Sequence, residues 1–173
     1  MLRAFVLGFL VAIVAAGVAA YLVVSQGVVP ASADGPPLPF ETLAAKAALR
    51  AALAREAPRG SNPVPLTDAN LIAGIGLYAK HCAICHGTAK GDASITPLAK
   101  GLYIRPPQLA TDGVEDDPEG DTFWKIDHGI RWTAMPFWAG TLNDQQIWTL
   151  TLFLKHMNSL PAAAEQAWQQ VTK

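Results

Sequence analysis

Cys82-Ala83-Ile84-Cys85-His86 is the stretch on which the reading of this chain turns. Two cysteines three positions apart on one helical turn can reach both vinyl groups along one edge of a porphyrin. The histidine directly after them then sits under the iron. The chain holds two cysteines in all, and both lie here. Other chemistries for such a pair need more than this sequence offers. A tetrahedral zinc site needs further Cys or His at ligand spacing, and no second pair exists. A thioredoxin-like dithiol needs a βαβ setting, and no such pattern surrounds the motif. The motif predicts one covalently attached haem c, with Cys82 and Cys85 as thioether donors and His86 as an iron ligand.

Working outward, 173 residues suffice for one domain of ordinary size plus an appendage. Charge is nearly balanced, with 13 Lys+Arg against 14 Asp+Glu. A nucleic-acid partner would select a basic face, so that class is disfavoured. The mean hydropathy of +0.23 is high for a soluble protein. Its source is local: Phe5 to Val24 reads FVLGFLVAIVAAGVAAYLVV, 20 residues without a charge. That length crosses the hydrocarbon core as a helix. Arg3 and the amino terminus form a positive flank that stays cytoplasmic and leaves the rest of the chain on the periplasmic side. A cleaved signal peptide is the competing reading, with Ala31-Ser32-Ala33 as a small-x-small site. The apolar run is longer than a signal core, and that site lies well beyond its end. A retained inner-membrane anchor over residues 1–25 is the favoured expectation. Gly8, Ala12, Ala16 and Ala20 recur every fourth residue, a stripe that suits a transmembrane helix partner. An alanine-rich helix shows such a face by composition as well.

Residues 26–66 read as a tether with one helix inside it. Pro30, Pro36, Pro37 and Pro39, with Gly27 and Gly35, mark extended chain. Phe40 to Ala57 is rich in strong helix formers and closes at Pro58. Whether this helix lies on the membrane or clasps the next domain is left open by its alanine-rich face. Residues 59–66 read as a second linker. Thr67 or Asp68 then caps a helix toward Cys82. In it Leu71, Ile75, Tyr78 and Cys82 share one face, and Gly74 marks a close helix crossing. Residues 87–109 read as irregular. A short helix over 121–128 stops at Gly129. Asn143 with Gln146 forms a capping box for a helix to about 158. Pro161 starts one more short helix. The acidic stretch 112–121 lacks calcium-loop spacing and reads as solvated.

A second axial ligand is expected opposite His86, commonly Met or a second His. Met1 is terminal and Met157 reads as core packing. Met135 lies in a loop stiffened by Pro136 and is the expected metal ligand with His86. His81 shares the turn of Cys82 and cannot reach the opposite face. His128 and His156 sit near helix ends and read as structural or solvated. The haem propionates need donors; Arg131 is the first choice, with Arg105, Tyr103, Trp132 and Trp138 as others.

These residues resemble the class I cytochrome c superfamily, and in particular membrane-anchored, single-haem bacterial members. The likeness covers about residues 68–160. It rests on Gly74 and Tyr78 before CAICHG, on Pro107-Gln108-Leu109, on Met135-Pro136 and on the aromatic final helix with Trp148 and Phe153. The resemblance implies that the first and last helices cross at Gly74, Tyr78, Leu150 and Phe153. It also implies that a proline carbonyl accepts the other ring N–H of His86. Pro107 fills that role here, with Pro97 as a rival. Leu109 and Trp138 join Cys82, Cys85, His86, Met135, Pro107 and Arg131 as cofactor-binding residues.

The expected fold is all-α: an N-terminal transmembrane helix, an extra linker helix, a haem domain over 67–160 and a short C-terminal helix over 161–173. The expected function is an electron carrier without catalytic residues of its own. It would pass one electron at a time between periplasmic or membrane redox proteins. A haem c subunit of a larger membrane oxidoreductase and a haem-based gas or redox sensor are the other readings.

Overall fold

The computed structural model describes residues 1–172, and among them every regular element is helical. Two compact units separate between Gly35 and Pro36. The first contains α1 (Leu2–Ser25), a 24-residue helix with no buried residue. At 1.5 Å per residue it is about 36 Å long, enough to cross a bilayer core of about 30 Å. Length and composition are the whole of that argument, and a signal sequence meets the same test.

The second unit holds α2 (Pro39–Glu56), α3 (Asp68–His81), α4 (Ala83–His86), α5 (Pro97–Gly101), α6 (Glu119–His128), α7 (Asp144–His156) and α8 (Ala162–Gln169). The starts follow from side-chain caps. Thr67 Oγ1 accepts the amide of Asn70 at 3.2 Å and opens α3. Asn143 and Gln146 exchange bonds of 2.9 and 3.0 Å in a full capping box at α7.

The core lies where α3 crosses α7, with α6 and α8 packed beside them. Gly74 is the crossing point. A Cβ there would lie 2.6 Å from the Thr149 carbonyl oxygen and 2.7 Å from Phe153 Cβ. A mid-helix glycine costs about 1 kcal/mol against alanine; here close backbone approach offsets it. Tyr78, Phe153 and Trp168 meet edge to face, with centroids 5.1 to 5.5 Å apart, and tie α3, α7 and α8 together.

Several segments differ from the sequence reading. Residues 87–109 are not wholly irregular: a 3₁₀ turn (Gly91–Ser94) and α5 interrupt them, the latter capped by Thr96 on Ala99. Residues 59–66 are mostly exposed, as a linker is, but are tied to the domain at three points. Arg59 donates to the Leu53 and Ala54 carbonyls, Asn62 bridges Glu119 and the Trp148 carbonyl, and Val64 enters the core. The alanine-rich α2 clasps the domain. Its less exposed positions, Thr42, Ala45, Leu49, Ala52 and Leu53, recur every three to four residues. Glu41 accepts the Tyr103 hydroxyl at 2.6 Å at one end. At the other, Pro58 lies against Gly120, whose Cβ position is 1.8 Å from the Pro58 carbonyl oxygen. The acidic stretch is partly tied down: Asp117 pairs with Lys125 at 2.5 Å, and Lys155 donates to the Glu115 and Asp117 carbonyls. The short C-terminal helix over 162–169 packs on the domain, with Ala164 and Trp168 in the core.

Candidate functional site

The attachment motif forms its own short helix, α4, directly after α3. Cys82 ends α3, with its amide bonded to the Tyr78 carbonyl at 2.8 Å. The amides of Cys85 and His86 return to the Cys82 carbonyl at 3.0 and 2.9 Å. Both cysteines are half-buried on this one turn, with no disulfide between them. Burial, and then the neighbouring Cys85, push the Cys82 thiol up to about 12. Burial also raises the thiol of Cys85. These are the electrostatics of an apolar socket.

Tyr78 clamps the turn from below. Its ring is fully buried, and its hydroxyl lies 3.1 Å from the His86 carbonyl and 3.0 Å from that of Gly87. Gly87 leaves the turn at φ 77°, ψ −169°, a conformation open essentially to glycine. A Cβ there would also lie 2.4 Å from Gln108 Oε1 and 2.7 Å from Ser94 Oγ.

The imidazole of His86 is oriented by the segment 106–109. Its Nδ1 lies 2.9 Å from the Pro107 carbonyl oxygen. A carbonyl only accepts, so Nδ1 carries the proton and Nε2 keeps its lone pair. Burial holds this imidazole below the usual range, with the Pro107 bond acting in the opposite direction. Pro97 instead opens α5. The segment is held further by the Leu109 amide on the His86 carbonyl at 3.2 Å and by Gln108 Nε2 on the Cys85 carbonyl at 3.2 Å. Leu109 is half-buried against the core.

Met135 is half-buried and also packs on the core. Its loop is strung from the end of α6. Gly129, at φ 67°, would place a Cβ 2.7 Å from the Met135 carbonyl oxygen and 2.6 Å from the Pro136 carbonyl carbon. The Trp138 amide bonds to the carbonyls of Ile126 and Asp127, both at 3.1 Å. The Trp138 ring then meets His81 edge-on at 5.1 Å, beside Cys82. The Met135 loop and the attachment turn are thereby brought to one end of α3. Arg131 and Trp132 are exposed in this loop, and Arg105 lines a cavity next to Pro107. His128 stacks on Trp124 at 4.6 Å, and His156 Nδ1 bonds the Leu152 carbonyl at 2.9 Å.

The donor set suits a haem. Two cysteines and one N–H-anchored imidazole lie on one turn, and the loop of Met135 is tied to the end of α3 through the contact of Trp138 with His81. Ile84, Leu98, Trp132 and Phe137, all in or beside these segments, each expose more than half of their surface. Large apolar side chains left open around a donor set are what a porphyrin plane covers.

Sequence reasoning missed Gly87, Gly120 and Gly129 as close-approach positions, the hydroxyl bonds of Tyr78, and the side chain of Gln108. The five letters CAICH carry a signal by themselves. A glycine or glutamine gains meaning only from the strand of chain that folds against it.

An all-helical fold around a Cys-x-x-Cys-His turn, with a proline carbonyl on the histidine, defines the c-type cytochromes. The haem domain is of that family: residues 69–154 match the family described as cytochrome c oxidase, cbb3-type, subunit III. No curated protein matches the chain. The domain is that of an electron-transfer haem protein.

Proposed function

We propose that this chain is a membrane-anchored carrier with one covalent haem c, which passes single electrons between redox proteins on the periplasmic side of the inner membrane. The observation that carries the reading is the His86 imidazole, one residue after Cys85, with Nδ1 engaged by Pro107 and Nε2 left to bind iron. When bound, the haem supplies a one-electron ferric–ferrous couple. Cys82 and Cys85 would hold it covalently, and His86 and Met135 would bind its iron, leaving no open site for substrates or gases. A thioether ligand favours the reduced ion and raises the potential. Leu109 and Trp138 would line the cofactor, and Arg131 would pair with one of its propionates. Residues 5–24 stay in the bilayer, and the tether confines the domain near membrane-bound partners, raising their effective concentration.

A second reading is favoured by one finding. The matched family is described as an oxidase subunit. On that reading the chain is the haem c module of a larger membrane oxidoreductase, with Gly8, Ala12, Ala16 and Ala20 facing a partner helix. Purification in mild detergent separates the two: a stoichiometric complex supports the subunit, a monodisperse single chain the free carrier.

The core reading is tested by mass and spectrum. Protein from a host competent in cytochrome maturation carries the added mass of one haem. Met135→Ala abolishes the sulfur-to-iron charge-transfer band of the oxidised protein. An unchanged spectrum removes Met135 from the iron.

A further inference from the structure

The peptide unit between Pro107 and Gln108 is engaged at both ends. Its carbonyl accepts from His86 Nδ1 at 2.9 Å. Its N–H donates to the carboxylate of Asp112, Oδ2 at 2.5 Å. Asp112, four residues on, is therefore linked to the proximal imidazole through one peptide bond. The geometry is over-determined. The Gln108 carbonyl accepts the amides of Thr111 and Asp112, both at 2.9 Å, so the turn that carries Asp112 closes on the same residue. The Gln108 side chain is buried, its Nε2 on the carbonyls of Cys85 and Pro106 at 3.2 and 3.3 Å, and its Oε1 against Gly87. It wedges this peptide unit against the attachment turn.

We infer that Asp112 is a positioning residue that tunes the iron through the peptide unit Pro107–Gln108 and the ring of His86. The inference rests on the reading of His86 as an iron ligand. Its physical basis is polarisation along a hydrogen-bonded chain. A carboxylate on the N–H draws that proton outward and leaves the peptide carbonyl oxygen more electron-rich. The carbonyl then accepts more strongly from Nδ1–H, and the imidazole becomes a better donor at Nε2. An electron-rich imidazole stabilises the ion of higher charge. Asp112 therefore lowers the reduction potential, opposite in sign to Met135. This is a separate role from the solvated one its acidic neighbourhood suggests.

A nearby carboxylate also acts directly through space, so a control is needed. Asp92 lines the same cavity of about 400 Å³ as Asp112, together with Lys100, Arg105 and Pro107, and makes no bond to this peptide. The test uses the full-length holoprotein. Asp112→Asn keeps an acceptor without the charge, Asp112→Ser is a second neutral variant, and Asp112→Glu restores the charge. Redox titration and proton NMR of His86 Nδ1–H in the reduced protein are the readouts. The neutral variants shift the ferric–ferrous equilibrium about threefold toward the ferrous form, about 28 mV upward at 59 mV per decade. The Nδ1 proton moves upfield in both, Asp112→Glu reverses most of each change, and Asp92→Asn gives less than half the potential shift and no proton shift. An unmoved Nδ1 proton in both neutral variants, or a potential shift no larger than that of Asp92→Asn, overturns the inference. Failure of the underlying reading is distinct, because wild-type protein would then lack covalent haem or a histidine-ligated spectrum.

Discussion

At the residue scale, the attachment turn is held by side chains that have no haem chemistry of their own. Tyr78 joins the buried aromatic cluster to the carbonyls of His86 and Gly87 through one hydroxyl. Tyr78→Phe keeps the ring packing and leaves those carbonyls without this partner, at a cost of about 1–3 kcal/mol. Chemical denaturation of the holoprotein checks it, and a change below about 0.5 kcal/mol would show that the hydroxyl is dispensable. Gly87 is the more sensitive position. Gly87→Ala adds backbone strain of about 1–3 kcal/mol to a Cβ that meets Gln108 Oε1 and Ser94 Oγ. The expected outcome is a larger loss of stability than for Tyr78→Phe and a lower yield of haem-loaded protein. The motif letters announce the haem, and Gly87 follows them directly. The need for glycine there is visible only once Gln108, 21 positions away, comes to rest on it.

At the scale of elements, periodicity and caps were strong guides. The face Leu71, Ile75, Tyr78, Cys82 and the capping box of α7 rest on interactions within a few residues of chain, which is why they can be read in one dimension. The reach of α2 across the domain cannot be, because alanine carries almost no directional signal. Gly74→Val pushes the α3 backbone from the Thr149 carbonyl and Phe153, and overpacking of this kind costs about 1–3 kcal/mol. For α2, burial tells its contacts apart. Leu53 is 8% exposed, and Leu53→Ala is expected to cost about 2 kcal/mol. Tyr103, whose hydroxyl meets Glu41, is 37% exposed, and Tyr103→Phe is expected to leave the melting temperature unchanged. Thermal melts of the two variants check the contrast. Equal losses would mean that the polar end of α2 holds it as firmly as its apolar stripe.

At the scale of the whole molecule, one unit carries the apolar helix and the other the haem-attachment motif. The first holds a continuous apolar helix with no buried residue, of a length that matches a bilayer core. On the retained-anchor reading, the mature protein stays in the membrane pellet after alkaline carbonate extraction, and its mass includes residues 1–25. Release of a shorter haem-bearing chain would instead assign this helix to a signal sequence.

The amino-acid sequence alone marked the haem motif, the apolar span, and the helices capped by Thr67 and Asn143. Each is written in residues a few positions apart, where spacing and side-chain type suffice. Tertiary structure decided between Pro107 and Pro97 at His86, tied the linker at 59–66 to the domain through Arg59, Asn62 and Val64, and brought α2 and α8 onto the domain. It also set the peptide of Gln108 between Asp112 and His86. Those outcomes depend on which backbone carbonyls and glycines meet across the fold, and backbone groups are the same at every position until the chain has closed on itself.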